Sequence, residues 1–199
     1  MEFFQGPSCP VCGEPYASPE ADRHLCSSCE NKLPSFDRAV SAGRYDGVLA
    51  EAIHLFKYAK KIGLGRPLGD LLADHLPEDI QADVIVPVPL HPQRLRGREF
   101  NQSLVLAEVV ARRRKIPNVA GALIRTVHRP PQIGLKRPER LANVRGVFAP
   151  GPIDLSGVRA LLIDDVYTTG ATVGECARVL KRAGAAYVTV ATLARIPRA

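Results

Sequence analysis

Twelve consecutive residues constrain this 199-residue chain more than any other stretch: Leu161-Leu162-Ile163-Asp164-Asp165-Val166-Tyr167-Thr168-Thr169-Gly170-Ala171-Thr172. Val158 to Ile163 is apolar apart from Arg159, as a buried strand of a parallel sheet is. The strand is expected to end at two adjacent carboxylates, Asp164 and Asp165, with a Thr/Gly loop after them and a helix over Thr172–Ala183 that Gly184 stops. Such a βα turn makes a phosphate cradle. Backbone N–H groups of the loop and the helix N-terminus point at the anion, the hydroxyls of Thr168, Thr169 and Thr172 add donors, and Gly170 lets the backbone approach closely. The carboxylates repel that same anion. They suit ribose hydroxyls or Mg²⁺, so a sugar phosphate satisfies both halves of the motif. The plainer alternative is a solvated strand end followed by a capped turn. The stretch is neither a Walker A loop nor a Gly-x-Gly-x-x-Gly turn. With a second strand over Tyr187–Leu193, it reads as a βαβ unit.

The other strong pattern lies at the N-terminus. Cys9-Pro10-Val11-Cys12 and Cys26-Ser27-Ser28-Cys29 are two C-x2-C pairs separated by 13 residues. Four thiolates at this spacing fit one tetrahedral zinc ion in a closed, structural site with no position left for catalysis. Disulfides are the alternative, disfavoured in a reducing compartment. His24 is close enough to be weighed as a ligand, but four cysteines leave it no vacancy. Cys176, the fifth, is expected as a buried thiol in a helix. Residues 1–35 are too few for their own core, so a metal would hold them as a small zinc ribbon; residues 36–199 then form an α/β domain.

Along that domain, Arg44–Gly47 reads as a short strand and turn. Val48–Tyr58 is helical, with Leu49, Ala52, Ile53 and Phe56 on one face. Further helices are expected over Leu64–Leu76 and Phe100–Arg114, the latter capped by Asn101 and Gln102, and strands over Asp83–Pro89 and Ala122–Thr126. Residues 127–145 hold Pro130-Pro131, Gly134, Pro138 and five basic side chains, and read as a long functional loop with a short helix near Glu139–Asn143. No apolar run approaches the ~18 residues a membrane span needs. The start Met1-Glu2-Phe3-Phe4 lacks the basic and apolar regions of a secretory signal, so a cytoplasmic setting is expected. Net charge is +7, and residues 91–147 carry 13 basic against three acidic side chains. This basic middle implies an anionic ligand, a phosphorylated metabolite or nucleic acid, or else a solvated basic face.

The Asp-Asp-to-Thr172 stretch resembles the phosphoribosyl pyrophosphate (PRPP) motif of type I phosphoribosyltransferases. The whole order resembles the ComF (competence protein F) family: the four-cysteine ribbon, Phe56-Lys57-Tyr58, Pro87-Val88-Pro89-Leu90-His91, Arg94-Leu95-Arg96, Phe100-Asn101-Gln102-Ser103, Pro131-Gln132, Arg140-Leu141-Ala142-Asn143-Val144-Arg145-Gly146 and the carboxylate motif. The resemblance implies a twisted, mainly parallel sheet flanked by helices behind the ribbon. It implies that Asp164 and Asp165 contact the ribose hydroxyls of PRPP, and that Thr168, Thr169, Gly170, Ala171 and Thr172 hold its 5-phosphate. It places Val88, Pro89, Leu90 and His91, with Arg94, at the pyrophosphate, on a loop that often holds a non-proline cis peptide. Arg129, Lys136, Arg137 and Arg140 belong to a flexible flap that closes over it, and Mg²⁺ accompanies PRPP. Lys57 is either a surface lysine or a phosphate contact. The resemblance also implies work in DNA uptake beside a DNA translocase or a recombination loader. Arg112, Arg113 and Arg114 are the candidates for single-stranded DNA, and aromatics at 6% with no Trp make that contact mainly electrostatic. Three functions follow: a Mg²⁺-dependent transferase with an unknown acceptor, a ligand-regulated DNA-binding module, and an adaptor whose ribbon docks a partner.

Overall fold

The computed structural model of the chain describes residues 3–4, 6–18, 22, 24–59, 61–93, 95, 99–127 and 142–197. In chain order the elements are α1 (Ser27–Asn31), β1 (Arg38–Arg44), α2 (Gly47–Tyr58), α3 (Gly65–His75), β2 (Val84–Pro87), α4 (Gln102–Arg114), β3 (Leu123–Arg125), β4 (Phe148–Pro150), β5 (Arg159–Tyr167), α5 (Ala171–Arg182) and β6 (Tyr187–Arg195). The central sheet is parallel throughout, in the order β1-β6-β5-β2. A separate antiparallel pair, β3 with β4, carries the two ends of the long basic loop.

Each strand of the sheet alternates between two cores, which is why the strands read as continuous apolar runs. Ile85, Leu161 and Ile163 face α2, α3 and α4, where Leu49, Ile53, Phe56, Leu72 and Leu106 are fully buried. Val86, Ala160 and Leu162 face α5 and the ribbon, against Val173, Cys176, Ala177 and Leu180. Each fully buried Leu, Ile or Phe contributes about 1.5–3 kcal/mol relative to exposure. Helices α3 and α4 pack unusually close. A Cβ on Gly65 would stand 2.3 Å from Val105, and one on Gly69 2.5 Å from Val109, so neither position admits a side chain unless the neighbour moves.

The sheet also fixes where a ligand can sit. After β2 the chain crosses to α4 on one face; after β5 it crosses to α5 on the other. β2 and β5 are neighbours, so their C-terminal ends flank the crevice where crossovers diverge, the usual binding place of an open α/β sheet.

Several elements differ from the sequence reading. Strand β1 covers Arg38–Arg44 and not the following turn; Asp46 instead caps α2, accepting from Gly47 N at 2.7 Å. β2 is shorter than Asp83–Pro89, because its pairing with β5 ends at Pro87. β5 continues through both carboxylates to Tyr167, because β6 runs beside it as far as Arg195. β4 was not anticipated from three residues of mixed character. Asn101 alone caps α4; Gln102 is inside the helix and buried. Residues 142–144 are helical, while the rest of the predicted short helix falls outside the described residues. No cis peptide occurs among the described residues.

Candidate functional site

Asp164 and Asp165 lie on β5 just past the point where β2 stops pairing, so they open into the crevice from within a strand, not from a loose end. Their surroundings differ. Lys57 Nζ, from α2, stands 2.8 Å from Asp165 Oδ1, with side-chain exposures of 16% and 12%. Lys57 is therefore no surface lysine. It follows Ile53 by one helical turn, and that buried face carries it to the C-terminal part of β5. Burial disfavours its charge, but the two carboxylates outweigh this and raise its pKa. Asp164 Oδ1 accepts from Ser103 Oγ at 2.9 Å and from the Asp165 amide at 2.9 Å. Burial first, then repulsion from Asp165, pushes its carboxyl up to about 7, against the pull of Lys57 and these hydrogen bonds. The site thus sets one lysine beside two carboxyls, of which Asp164 is the one whose charge burial opposes.

The loop after β5 has the geometry of a cradle. Thr168, Thr169 and Gly170 are half-buried bends leading into α5. Gly170 has φ +76°, the left-handed region that favours glycine, and a Cβ there would stand 2.4 Å from the Tyr167 hydroxyl oxygen. Ala171 N donates to Thr169 Oγ1 at 3.3 Å, while Gly174 N closes the first turn on Gly170 O at 2.8 Å. Ala171 and Thr172 begin a 12-residue helix, and the positive end of its dipole favours an anion.

The loop after β2 borders the other side of the crevice. Val88 is buried and its amide donates to Ile163 O at 2.9 Å, while Asn101 Nδ2 donates to Val88 O at 3.1 Å. One asparagine therefore caps α4 and ties that helix to the loop. Pro89, Leu90 and His91 are half-buried, and His91 Nδ1 accepts from the Gln93 amide at 3.2 Å. Arg94 lies outside the described residues, as do Arg129, Lys136, Arg137 and Arg140. The ends of the loop that carries the last four are described. Thr126 N donates to Val147 O at 3.0 Å, and Gly146 N donates to the buried Glu175 of α5 at 2.8 Å. The basic loop is thus rooted on the helix that begins at the cradle.

The three arginines at the end of α4 part ways. Arg113 pairs with Asp70 at 3.1 Å and with Asp74, both on α3. Arg114 donates to the carbonyls of Ala73, at 3.0 Å, and Leu76, closing the C-terminus of α3. Arg112 is exposed. Arg125, another member of the basic middle, is buried with its guanidinium 5.4 Å from the Phe148 ring centre.

Ser103 was not picked out from the sequence as part of the site. A serine two residues past a helix cap carries no local signal, and only the crossing of α4 over the end of β5 brings it to Asp164.

At the N-terminus, the sulfurs of Cys9, Cys12, Cys26 and Cys29 all lie within 4.8 Å of one another, with Cys12 and Cys26 at 3.5 Å. A tetrahedral zinc with Zn–S of about 2.3 Å sets its sulfurs about 3.8 Å apart, so this cluster fits the ion in count, chemistry and spacing. Burial raises the Cys12 thiol to about 11 and pushes Cys29 up as well. At Cys9 burial is outweighed by hydrogen bonds from the amides of Cys12, Cys26 and Val11, and its pKa falls to about 7. A cation is what would let all four ionise together. His24 is occupied elsewhere: its ring stacks on Tyr16 at 4.4 Å, and Nδ1 contacts Asp22 O at 2.8 Å. Cys176 is fully buried in α5, where burial raises its pKa.

Comparisons with known proteins complete the picture. No family model matches the chain. Competence protein F of Haemophilus influenzae is 31% identical over 196 residues, covering 94% of this chain and 86% of that protein. DNA utilization protein YhgH of Escherichia coli K12 is 34% identical over 197 residues, covering 94% and 83%. Competence protein ComFC of Bacillus subtilis is 31% identical over 212 residues, covering 98% and 80%. Among solved structures, the glutamine PRPP amidotransferase of B. subtilis in complex with ADP and GMP is 26% identical over 64% of this chain and 25% of its own, with a TM-score of 0.45. The purine phosphoribosyltransferase of Pyrococcus horikoshii is 22% identical over 65% of this chain and 70% of its own, with a TM-score of 0.41. No helix among the described residues is long and apolar enough to cross a membrane.

Proposed function

The chain belongs to the family of competence protein F and DNA utilization protein YhgH, and on that premise we propose that it serves DNA uptake by binding PRPP or a related ribosyl phosphate in the β2–β5 crevice. The observation that carries this reading is the carboxylate pair in the last part of β5, followed in the next loop by a left-handed glycine and a helix N-terminus. Asp164 and Asp165 accept from the ribose hydroxyls. The backbone of residues 168–172 and its threonines hold the 5-phosphate, and the loop of Val88–His91 with Arg94 meets the pyrophosphate. Mg²⁺ travels with the pyrophosphate. The four cysteines hold a structural zinc, and residues 1–35 and 36–199 act as ribbon and ligand-binding body. Single-stranded DNA contacts the basic surface, with Arg112 an exposed member of the α4 triplet. The site of action is cytoplasmic, beside a DNA translocase or recombination loader.

A second reading, an active transferase, is favoured by the contrast between the two carboxylates. Asp165 pairs with Lys57 at 2.8 Å while burial and Asp165 push the Asp164 carboxyl up to about 7, an unequal pair suited to a site where charge builds on the ribose as the pyrophosphate leaves. Calorimetric titration of the zinc-loaded protein with PRPP, with and without Mg²⁺, tests the first reading. Binding should vanish in Asp164→Ala/Asp165→Ala, and wild-type protein that gives no heat with PRPP would overturn it. Pyrophosphate release on adding candidate acceptors tests the second.

A further inference from the structure

Arg195, at the last position of β6, is among the largest fully buried side chains of the described residues. It joins two places the sequence keeps far apart. Its Nη1 donates to the carbonyl of Cys12, inside the first C-x2-C turn, at 2.5 Å. Its Nη2 lies 3.1 Å from Glu14 Oε2, off the hydrogen-bonding line, so charge rather than an aligned hydrogen bond holds that pair. The guanidinium carbon sits 4.2 Å from the centre of the Tyr167 ring. Tyr167 is buried, packs edge-on to Phe36, and carries its hydroxyl under Gly170. The path from cysteine cluster to phosphate loop thus runs through two side chains, one cationic and one aromatic.

A buried cation needs its counter-charge and acceptors to stay in place. Glu14 and the Cys12 carbonyl belong to a turn that the four-cysteine cluster shapes, with Gly13 between them packed on Ala39 O. If that turn loosens, Arg195 loses its partners and Tyr167 loses the plane it stacks on. The phenol then loses one of the contacts that set the height at which Gly170 presents the loop backbone.

We propose that Arg195 is a positioning residue that couples metal occupancy of the cysteine cluster to the shape of the phosphate loop, residues 168–172. This rests on reading 168–172 as that loop. The coupling is reciprocal by linkage: a phosphate-bearing ligand slows metal loss, and metal loss weakens the ligand.

Amide hydrogen exchange on the full chain is the test, because it needs no ligand. In wild type, stripping the metal with a chelator should speed exchange at 168–172 by about tenfold, besides its effect on residues 6–36. In Arg195→Met, with one metal equivalent still bound, the loop should already exchange at that faster rate, and chelation should add nothing there. Tyr167→Phe, which keeps the ring under Arg195 and removes the hydroxyl under Gly170, should loosen the loop without changing metal release, and it decides the matter if Arg195→Met does not fold. Chelation that affects only residues 6–36, or variants whose loop exchanges as in wild type, would overturn the coupling. Should chelation unfold the whole chain, the metal-loaded variants carry the test. Ribose 5-phosphate is added in a separate arm. It should slow chelator-driven metal release several-fold in wild type and not in Arg195→Met. If it binds no form of the protein, the ligand reading fails while the exchange result on Arg195 stands by itself.

Discussion

Lys57→Met removes the cation of the crevice while keeping the length of the side chain. In the native protein Lys57 Nζ is 2.8 Å from Asp165 Oδ1, and both side chains are mostly buried. Removing one partner of such a pair strands the other charge, at a cost of about 3–5 kcal/mol. For a chain of this size, 1 kcal/mol moves Tm by about 2–4 °C, so Tm should fall by about 6–20 °C at pH 8. The loss should depend on pH, with a definite sign. The Asp164 carboxyl is raised to about 7 in the folded protein by burial and by Asp165. The folded state therefore binds that proton more tightly than the unfolded chain, and its contribution to stability falls as pH rises from about 4 to 7. Without Lys57 this carboxyl rises further and the window extends above pH 7. The deficit of Lys57→Met should thus be larger at pH 8 than at pH 5.5. Lys57→Met/Asp165→Asn, which removes both charges, should recover most of the loss. Thermal melts at the two pH values, arranged as a double-mutant cycle, measure the coupling. A coupling below about 0.5 kcal/mol, or a Lys57→Met deficit that is the same at both pH values, would refute the reasoning.

Three further outcomes follow from the geometry. Ser103→Ala removes the 2.9 Å donor to Asp164, so the carboxyl should titrate at higher pH, visible as an upward shift of its carboxyl resonance in NMR. Gly170→Ala places a Cβ 2.4 Å from the Tyr167 hydroxyl at a φ that disfavours alanine; it should lose about 1–3 kcal/mol of stability and most of the phosphate affinity, both measured by calorimetry. Arg114→Ala should lower Tm, because the carbonyls of Ala73 and Leu76 lose their donor, whereas Arg112→Ala should leave Tm alone and weaken retention of single-stranded DNA at low salt; equal Tm for the two would contradict the difference in their surroundings.

Much of this protein is local in the chain and was readable there. Two C-x2-C pairs state a four-thiolate cluster because ligand spacing is a property of tight turns. The apolar run to Ile163, the carboxylates and Thr168–Thr172 state a strand, a ligand edge and a helix start because period and turn chemistry are written residue by residue. The helices over 47–58, 65–75 and 102–114 were legible for the same reason. What remained hidden depends on neighbours distant in sequence. β5 runs on past its carboxylates because β6 supports it. Lys57 and Ser103 reach Asp165 and Asp164 because α2 and α4 pack over the sheet end, and Arg113 and Arg114 turn to α3 because Gly65 and Gly69 let the two helices close up. Arg195 lies beyond the strand read over Tyr187–Leu193, and folding placed it among Cys12, Glu14 and Tyr167. Sequence periodicity reports which face of an element is buried, but which charges share that burial is decided only when elements far apart in the chain meet.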